Sequence, residues 1–294
     1  MSASVLFDSP GPKTVARHRI YSIVVVVALV AAVAGVVLRL QDKGQLAYDL
    51  WEPFITPKYI EALLKGLVNT LKMAGTSVVF AVVFGLVFGT AKISERGWIR
   101  WPAWVVVEFF RAVPVLLLMV FFFLAYGIGS DGIGPYWCVV AALTLYNGSV
   151  LAEVFRAGIN AVPPGQAEAA YAVGMRKGQV MNIVVLPQAV KIMLPSIISQ
   201  CVVTLKDTSL GFYIAAPGLT YVGKAIYTEF QNQVQTAIVV SAMYIVVNLV
   251  LSGIATWVQK RYVGEKTLNT ETIGKPGLTT DTGATAGGAG GGAF

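Results

Sequence analysis

The chain has 294 residues, of which 56% are of the types AVILMFWYC and 13% are charged, with a formal net charge of +7. The mean hydropathy is +0.69. A soluble domain is nearer half apolar and a quarter charged, and keeps much of its surface in water, so the excess excludes an ordinary soluble enzyme and points to a polytopic membrane protein.

Crossing roughly 30 Å of hydrocarbon takes about 20 helical residues. Ile20–Leu38 is a run of 19 residues without a charge, and Met73–Ala91 is another of 19. Ala112–Ser130 gives 19 more, Gly132–Ala152 gives 21, and Phe230–Gln259 gives 30. A weaker segment of 14 uncharged residues lies between Lys191 and Lys206. These runs predict an all-α helical bundle with six membrane helices at roughly 20–40, 64–91, 104–127, 135–156, 188–208 and 235–259. The ten-residue alternation of a membrane β-barrel is absent from the sequence. Arg17 and Arg19 precede the first segment. Its apolar run exceeds the 7–15 residues of a cleaved signal, and no small-residue cleavage site follows before Arg39, so it reads as a retained helix.

Lys and Arg placement orients the bundle. With the N-terminus inside, inner segments hold 14 basic residues and outer segments hold 5, while Lys65, Lys72 and Arg111 fall within or at the edge of helices. Both termini are expected in the cytoplasm. The positive charge reads as a topology signal and a contact for anionic lipid, not as a nucleic-acid site. Cys138 and Cys201 fall inside predicted helices and read as packing residues, and His18 is alone, so no Cys- or His-based metal site is expected. Gly218-Leu-Thr-Tyr-Val-Gly223-Lys224 imitates a phosphate loop, but Ala225 stands where Ser or Thr would hold magnesium. Asn147-Gly-Ser149 matches a glycosylation sequon inside a predicted helix. The tail, residues 261–294, turns Gly/Thr/Ala-rich and has too little apolar surface to fold.

The fourth and fifth predicted helices are joined on the inner side by about 30 residues, long enough to suggest a functional segment. Pro163 and Pro164 end the preceding helix and Gly165 permits a turn. Gln166–Ala172 is rich in helix formers, and Gly174 stops the helix. A short helix on the inner face follows, open to two readings: a passive interfacial helix or a docking device. Glu168-Ala169-Ala170, Gly174 and Leu186-Pro187 resemble the EAA loop, E-A-A-x3-G-x9-I-x-L-P, of ATP-binding-cassette importer permeases, with Val184 in place of Ile. Arg111-Ala-Val-Pro114 resembles the R-G-T-P motif of the polar-amino-acid branch, with Ala112 and Val113 departing. Ala152-Glu153-Val-Phe-Arg156, Val162-Pro-Pro-Gly165-Gln166, Leu186-Pro-Gln-Ala189 and Leu205-Lys206-Asp207-Thr208-Ser209-Leu210 resemble further motifs of that branch. The resemblance spans about residues 60–260. It leaves 1–59 as an N-terminal tail, extra helix and outer loop.

The resemblance implies a type I importer transmembrane subunit that holds no cofactor, hydrolyses no ATP and is not an enzyme. It implies a second permease subunit, commonly a sister chain, an ATPase dimer beneath, an extracytoplasmic substrate-binding protein, and a bacterial inner membrane. Gly165, Glu168, Ala169, Ala170, Gly174, Leu186 and Pro187 would form the coupling helix and its exit. In that reading Glu168 anchors, the two alanines keep the docking face small, and Pro187 disrupts the start of the fifth helix.

Polar groups inside membrane segments are functional candidates, because a central Lys or Arg costs roughly 2.5–3.5 kcal/mol. Asn69, Lys72 and Thr76 are spaced to share one face of the second helix. Arg111, followed by Pro114, lies about 10 Å into the third helix from the inner side, by a rise of 1.5 Å per residue. Glu153 sits in the fourth, and Lys206, Asp207, Thr208 and Ser209 cluster at the outer end of the fifth, with Lys206 and Asp207 expected to neutralise each other. Lys72, Arg111 and Lys206 outnumber Asp207 and Glu153, which suits an anionic substrate such as glutamate or aspartate. A neutral or basic amino-acid importer, and an ion-coupled secondary transporter, are the alternatives. Gly85-x-x-x-Gly89 permits close helix approach, within the bundle or at a dimer seam.

Overall fold

The computed structural model describes residues 12–262, and among them there is no strand. The first membrane helices are α1 (Pro12–Asp42), α2 (Pro57–Ile93), α3 (Gly97–Ala112) with α4 (Val115–Phe122), and α5 (Gly134–Asn160). A short α6 (Pro164–Ala172) follows. Then α7 (Lys177–Gln179) runs through a π segment, Val180–Val185, into α8 (Leu186–Asp207). A 3-10 turn, Thr208–Ile214, leads to α9 (Leu219–Phe230) and α10 (Gln233–Tyr262). Five helices are long and apolar enough to span a membrane, and the bent pair α3–α4 makes up to six. The expected tail lies outside the described residues, apart from its first two.

Three expectations change. The third predicted helix is not one rod: α3 and α4 meet at 97°. Pro114 has no N–H to continue the ladder, and it holds Val113 extended at φ −82, ψ 127. The fifth helix starts at Lys177, not near 188, so the inner connection is far shorter than 30 residues. The π segment does this: Leu186 N–H donates to Met181 O, five residues back, and the widened turn absorbs Pro187 without stopping the helix. The stretch between the fifth and sixth predicted helices, an outer loop by that count, contains α9, whose buried Leu219, Gly223 and Ile226 face the bundle.

The glycine pair of α2 packs inside the chain. A methyl at Gly89 would lie 2.8 Å from the carbonyl oxygen of Ala152 and 3.0 Å from Phe155 Cβ, and one at Gly85 would lie 2.8 Å from Leu151 Cβ. These contacts bring the α2 and α5 backbones together, which Cβ atoms would prevent. Gly89→Ala is expected to lower stability by about 1–3 kcal/mol, the usual cost of overpacking. Gly75→Ala on the same helix, where an added methyl meets nothing within 4 Å, is expected to cost no stability. Thermal unfolding of the two purified variants checks this, and equal midpoints would refute the seam.

Cys138 is fully buried with Met73, Met119, Val139 and Leu143 in the core, and both cysteines are free thiols. The phosphate-loop imitation is packing. Gly218 abuts Met73 and Thr70, Gly223 abuts α10 at Thr236 and Val240, and Lys224 Nζ sits 5.0 Å over the Phe212 ring. Asn147 is buried and accepts from Gln200 Nε2, which closes it to glycosylation. The apolar face of α1 is exposed throughout. Its linker to α2 is pinned by amides of the α10 entry: Asn232 Nδ2 donates to Leu50 O at 2.9 Å, and Gln235 Nε2 donates to Gln45 O.

Candidate functional site

The short inner helix is built by its ends. Pro163 caps it at φ −56, ψ 130, and Pro164 occupies the first turn, where a missing N–H costs nothing. Gly165 lies within that turn rather than making one. At the other end Gly174 takes φ +82, a conformation that side chains disfavour, and an added Cβ would meet nothing, so the backbone angle is the reason for glycine. Gly174 N–H donates to Tyr171 O at 2.9 Å and Met175 N–H to Ala170 O at 3.2 Å, the two bonds of a Schellman stop.

The EAA residues divide by face. Glu168 and Ala169 are exposed, while Ala170 is buried against Val162, Val180, Val185 and Ala189. Ala170 therefore packs the helix onto its own bundle and does not share the outward face expected of it. Leu186 and Pro187 begin α8 beyond the π segment, away from that face.

The membrane-embedded candidates separate into three places. Asn69 and Lys72 lie on one face of α2 with Glu61 and Lys65, which pair at 2.6 Å, along a groove of about 390 Å³. Thr76 continues the stripe, with its hydroxyl 3.3 Å from that of Tyr136. Arg111 and Glu153 belong to an inner charge cluster. Lys92, with its side chain 4% exposed, bonds Glu153 Oε2 at 2.8 Å and Glu108 Oε1 at 3.2 Å, while Arg111 pairs with Glu108 at 3.2 Å and Arg156 with Glu153. Arg111 thus closes the end of α3 rather than lying within a continuous span. The sequence singles out neither Lys92 nor Glu108, and marks Arg156 only as part of a motif and as an inner basic residue. The i, i+3 spacings of Glu108 to Arg111 and Glu153 to Arg156 hint at two of these pairs, but nothing local reveals Lys92's partner 61 residues away. Nearby, Lys177 bonds Glu95 between α2 and α3 and holds that exposed carboxyl below its ordinary range.

The third place is the end of α8. Thr208 is buried and its hydroxyl donates to Leu205 O at 2.6 Å, and Ser209 O accepts from Thr220. Lys206 and Asp207 do not neutralise each other: no ion pair joins them. Consecutive helical residues point some 100° apart, which keeps the two heads separate.

Residues 81–264 match the family described as binding-protein-dependent transport system inner membrane component. The chain belongs to that family. This transport component is 40% identical over 226 residues to the glutamate transport system permease protein GluD of Corynebacterium glutamicum, covering 76% of this chain and 83% of that protein. It is 31% identical over 207 residues to the arginine transport system permease protein ArtQ of Bacillus subtilis, covering 69% and 93%. The solved structure of an amino acid ABC transporter with histidines superposes at a TM-score of 0.65 with 30% identity, over 69% of this chain and 95% of that one. The transport component's first 80 residues, including α1, precede the family match.

Proposed function

We propose that this chain is the permease subunit of an ATP-driven, binding-protein-dependent amino-acid importer in a bacterial inner membrane, and that its substrate is acidic. The chain itself hydrolyses no ATP. A separate ATPase dimer binds beneath, a second permease subunit, a sister chain, completes the path, and an extracytoplasmic binding protein delivers glutamate or aspartate from outside. Residues 60–260 form the transporting core, and 1–59 and 261–294 are accessory.

The observation that carries this reading is the outward face of α6. Glu168 and Ala169 stand exposed on a helix held at both ends by backbone devices, so a push on that face is delivered to the core through Ala170. Closure of the ATPase pair would move this lever and tilt the bundle between two states. The acidic substrate rests on charge. Arg111 is paired with Glu108, and Glu153 with Lys92 and Arg156, in the inner cluster, leaving Lys72 and Lys206 against Asp207 as the path candidates without an ion-pair partner among the described residues. The GluD likeness agrees with that balance.

Reconstitution with the ATPase and binding protein tests both parts. ATP-dependent glutamate uptake is expected, and uptake without the ATPase would instead indicate a secondary transporter. Lys72→Gln is expected to reduce glutamate uptake about tenfold, the factor of roughly 1.4 kcal/mol within the range of a charge-assisted hydrogen bond, while sparing glutamine uptake. Equal losses for both would remove the charge-reading role of Lys72.

A further inference from the structure

A cavity of about 610 Å³ opens beside the inner charge cluster, lined by Gly97, Arg100, Trp101, Trp104 and Glu108 of α3 and by Lys92, Glu153 and Arg156 of α2 and α5. The two sides of this cavity differ in chemistry. Toward the charge cluster, where α2, α5 and the later part of α3 meet, the charges are spent on one another, since Lys92 holds both carboxylates and Arg156 holds Glu153. At the start of α3 Arg100 is exposed and has no carboxylate partner among the described residues. The lining therefore carries three basic groups against two acids, and the unmatched charge is a guanidinium at the mouth, the fork that grips phosphate oxygens in pairs.

The surroundings indicate what brings that phosphate. Trp98, Trp101 and Trp104 recur every third residue along α3, and are 73%, 69% and 52% exposed. Indole rings at such exposure collect at the headgroup level of a bilayer. The row starts five residues after α2 ends at Ile93, at the boundary that the basic residues assign to the cytoplasm, where the leaflet surface is negative. Arg96, one helical turn before Arg100, adds charge at the same depth. We infer that this cavity is a binding site for the headgroup of one anionic phospholipid of the inner leaflet. Arg100 takes the phosphodiester, and Trp101 and Trp104 flank the glycerol and upper acyl chains. The site is separate from the coupling face of α6 and from the polar stripe of α2.

The full-length chain, placed in nanodiscs of phosphatidylcholine doped with phosphatidylglycerol, tests this by native mass spectrometry of retained lipid. The wild type is expected to retain phosphatidylglycerol over phosphatidylcholine. Arg100→Gln is expected to lower that preference about fivefold, the factor one basic residue supplies near an anionic surface. Gly97→Phe leaves every charge in place and puts a ring into the cavity, where an added Cβ meets nothing within 4 Å, and is expected to do the same. Both variants keep the wild-type unfolding midpoint, because neither position makes a side-chain contact that the fold needs. Undiminished retention in both variants would overturn the inference. So would an equal loss in Arg176→Gln, a basic inner residue outside the cavity, or displacement of the lipid by inorganic phosphate in solution.

Discussion

Ala169→Trp is expected to reduce ATP-driven uptake at least tenfold while leaving the chain folded, inserted and able to bind lipid. Ala169 is exposed beside Glu168 on α6, so an indole there displaces nothing of this chain and blocks only what docks on that face. A tenfold loss corresponds to about 1.4 kcal/mol, which a single steric clash in a close-packed interface readily exceeds. Ala170→Trp is the contrast. Its methyl is buried against Val180 and Val185, so the larger ring is expected to lower the unfolding midpoint as well as uptake. If both variants behaved alike, unfolded or fully active, α6 would not be a lever with one outer and one inner face. Measuring uptake and thermal unfolding on the same preparations separates the cases.

Lys92→Met is expected to lower stability by about 3 kcal/mol, the low end of the cost of breaking a buried ion pair. The low end applies because Glu108 and Glu153 are partly exposed and each keeps an arginine, Arg111 and Arg156. The loss arises from leaving a carboxylate under-compensated between α2, α3 and α5. Lys92→Met combined with Glu153→Gln is therefore expected to recover part of it, by a coupling that a double-mutant cycle in thermal unfolding reads directly. A double variant no better than the sum of the single changes would mean that Lys92 stabilises by packing alone.

The membrane helices were legible because an uncharged run long enough to span a bilayer has few other uses, and the end signals of α6, two prolines and a glycine, were legible because backbone chemistry dictates them. What stayed hidden has definite causes. Pro114 was visible as a residue, but a bend of 97° needs the extended Val113 before it, and an apolar run conceals that. The π segment before Pro187 breaks the 3.6-residue period on which helix reading relies. The helical character of α9 could have been found, since Leu219, Gly223 and Ile226 recur at four and three. At the sites, spacing on one helix places Asn69 and Lys72 along a single groove, whereas adjacency misleads for Lys206 and Asp207, which make no ion pair. Lys92 stayed hidden, because its carboxylate partners sit on two other helices.

The seam at Gly85 and Gly89 bears on how the protein moves. Where two helices meet through pliable side chains, one slides past the other by changing rotamers. Main chain set against main chain has no such slack, and interlocked surfaces of this kind either hold or part completely. In any cycle of opening and closing, α2 and α5 then travel as a single rigid plank. The conformational freedom is left to joints elsewhere: the elbow at Pro114 and the overwide turn ahead of Pro187.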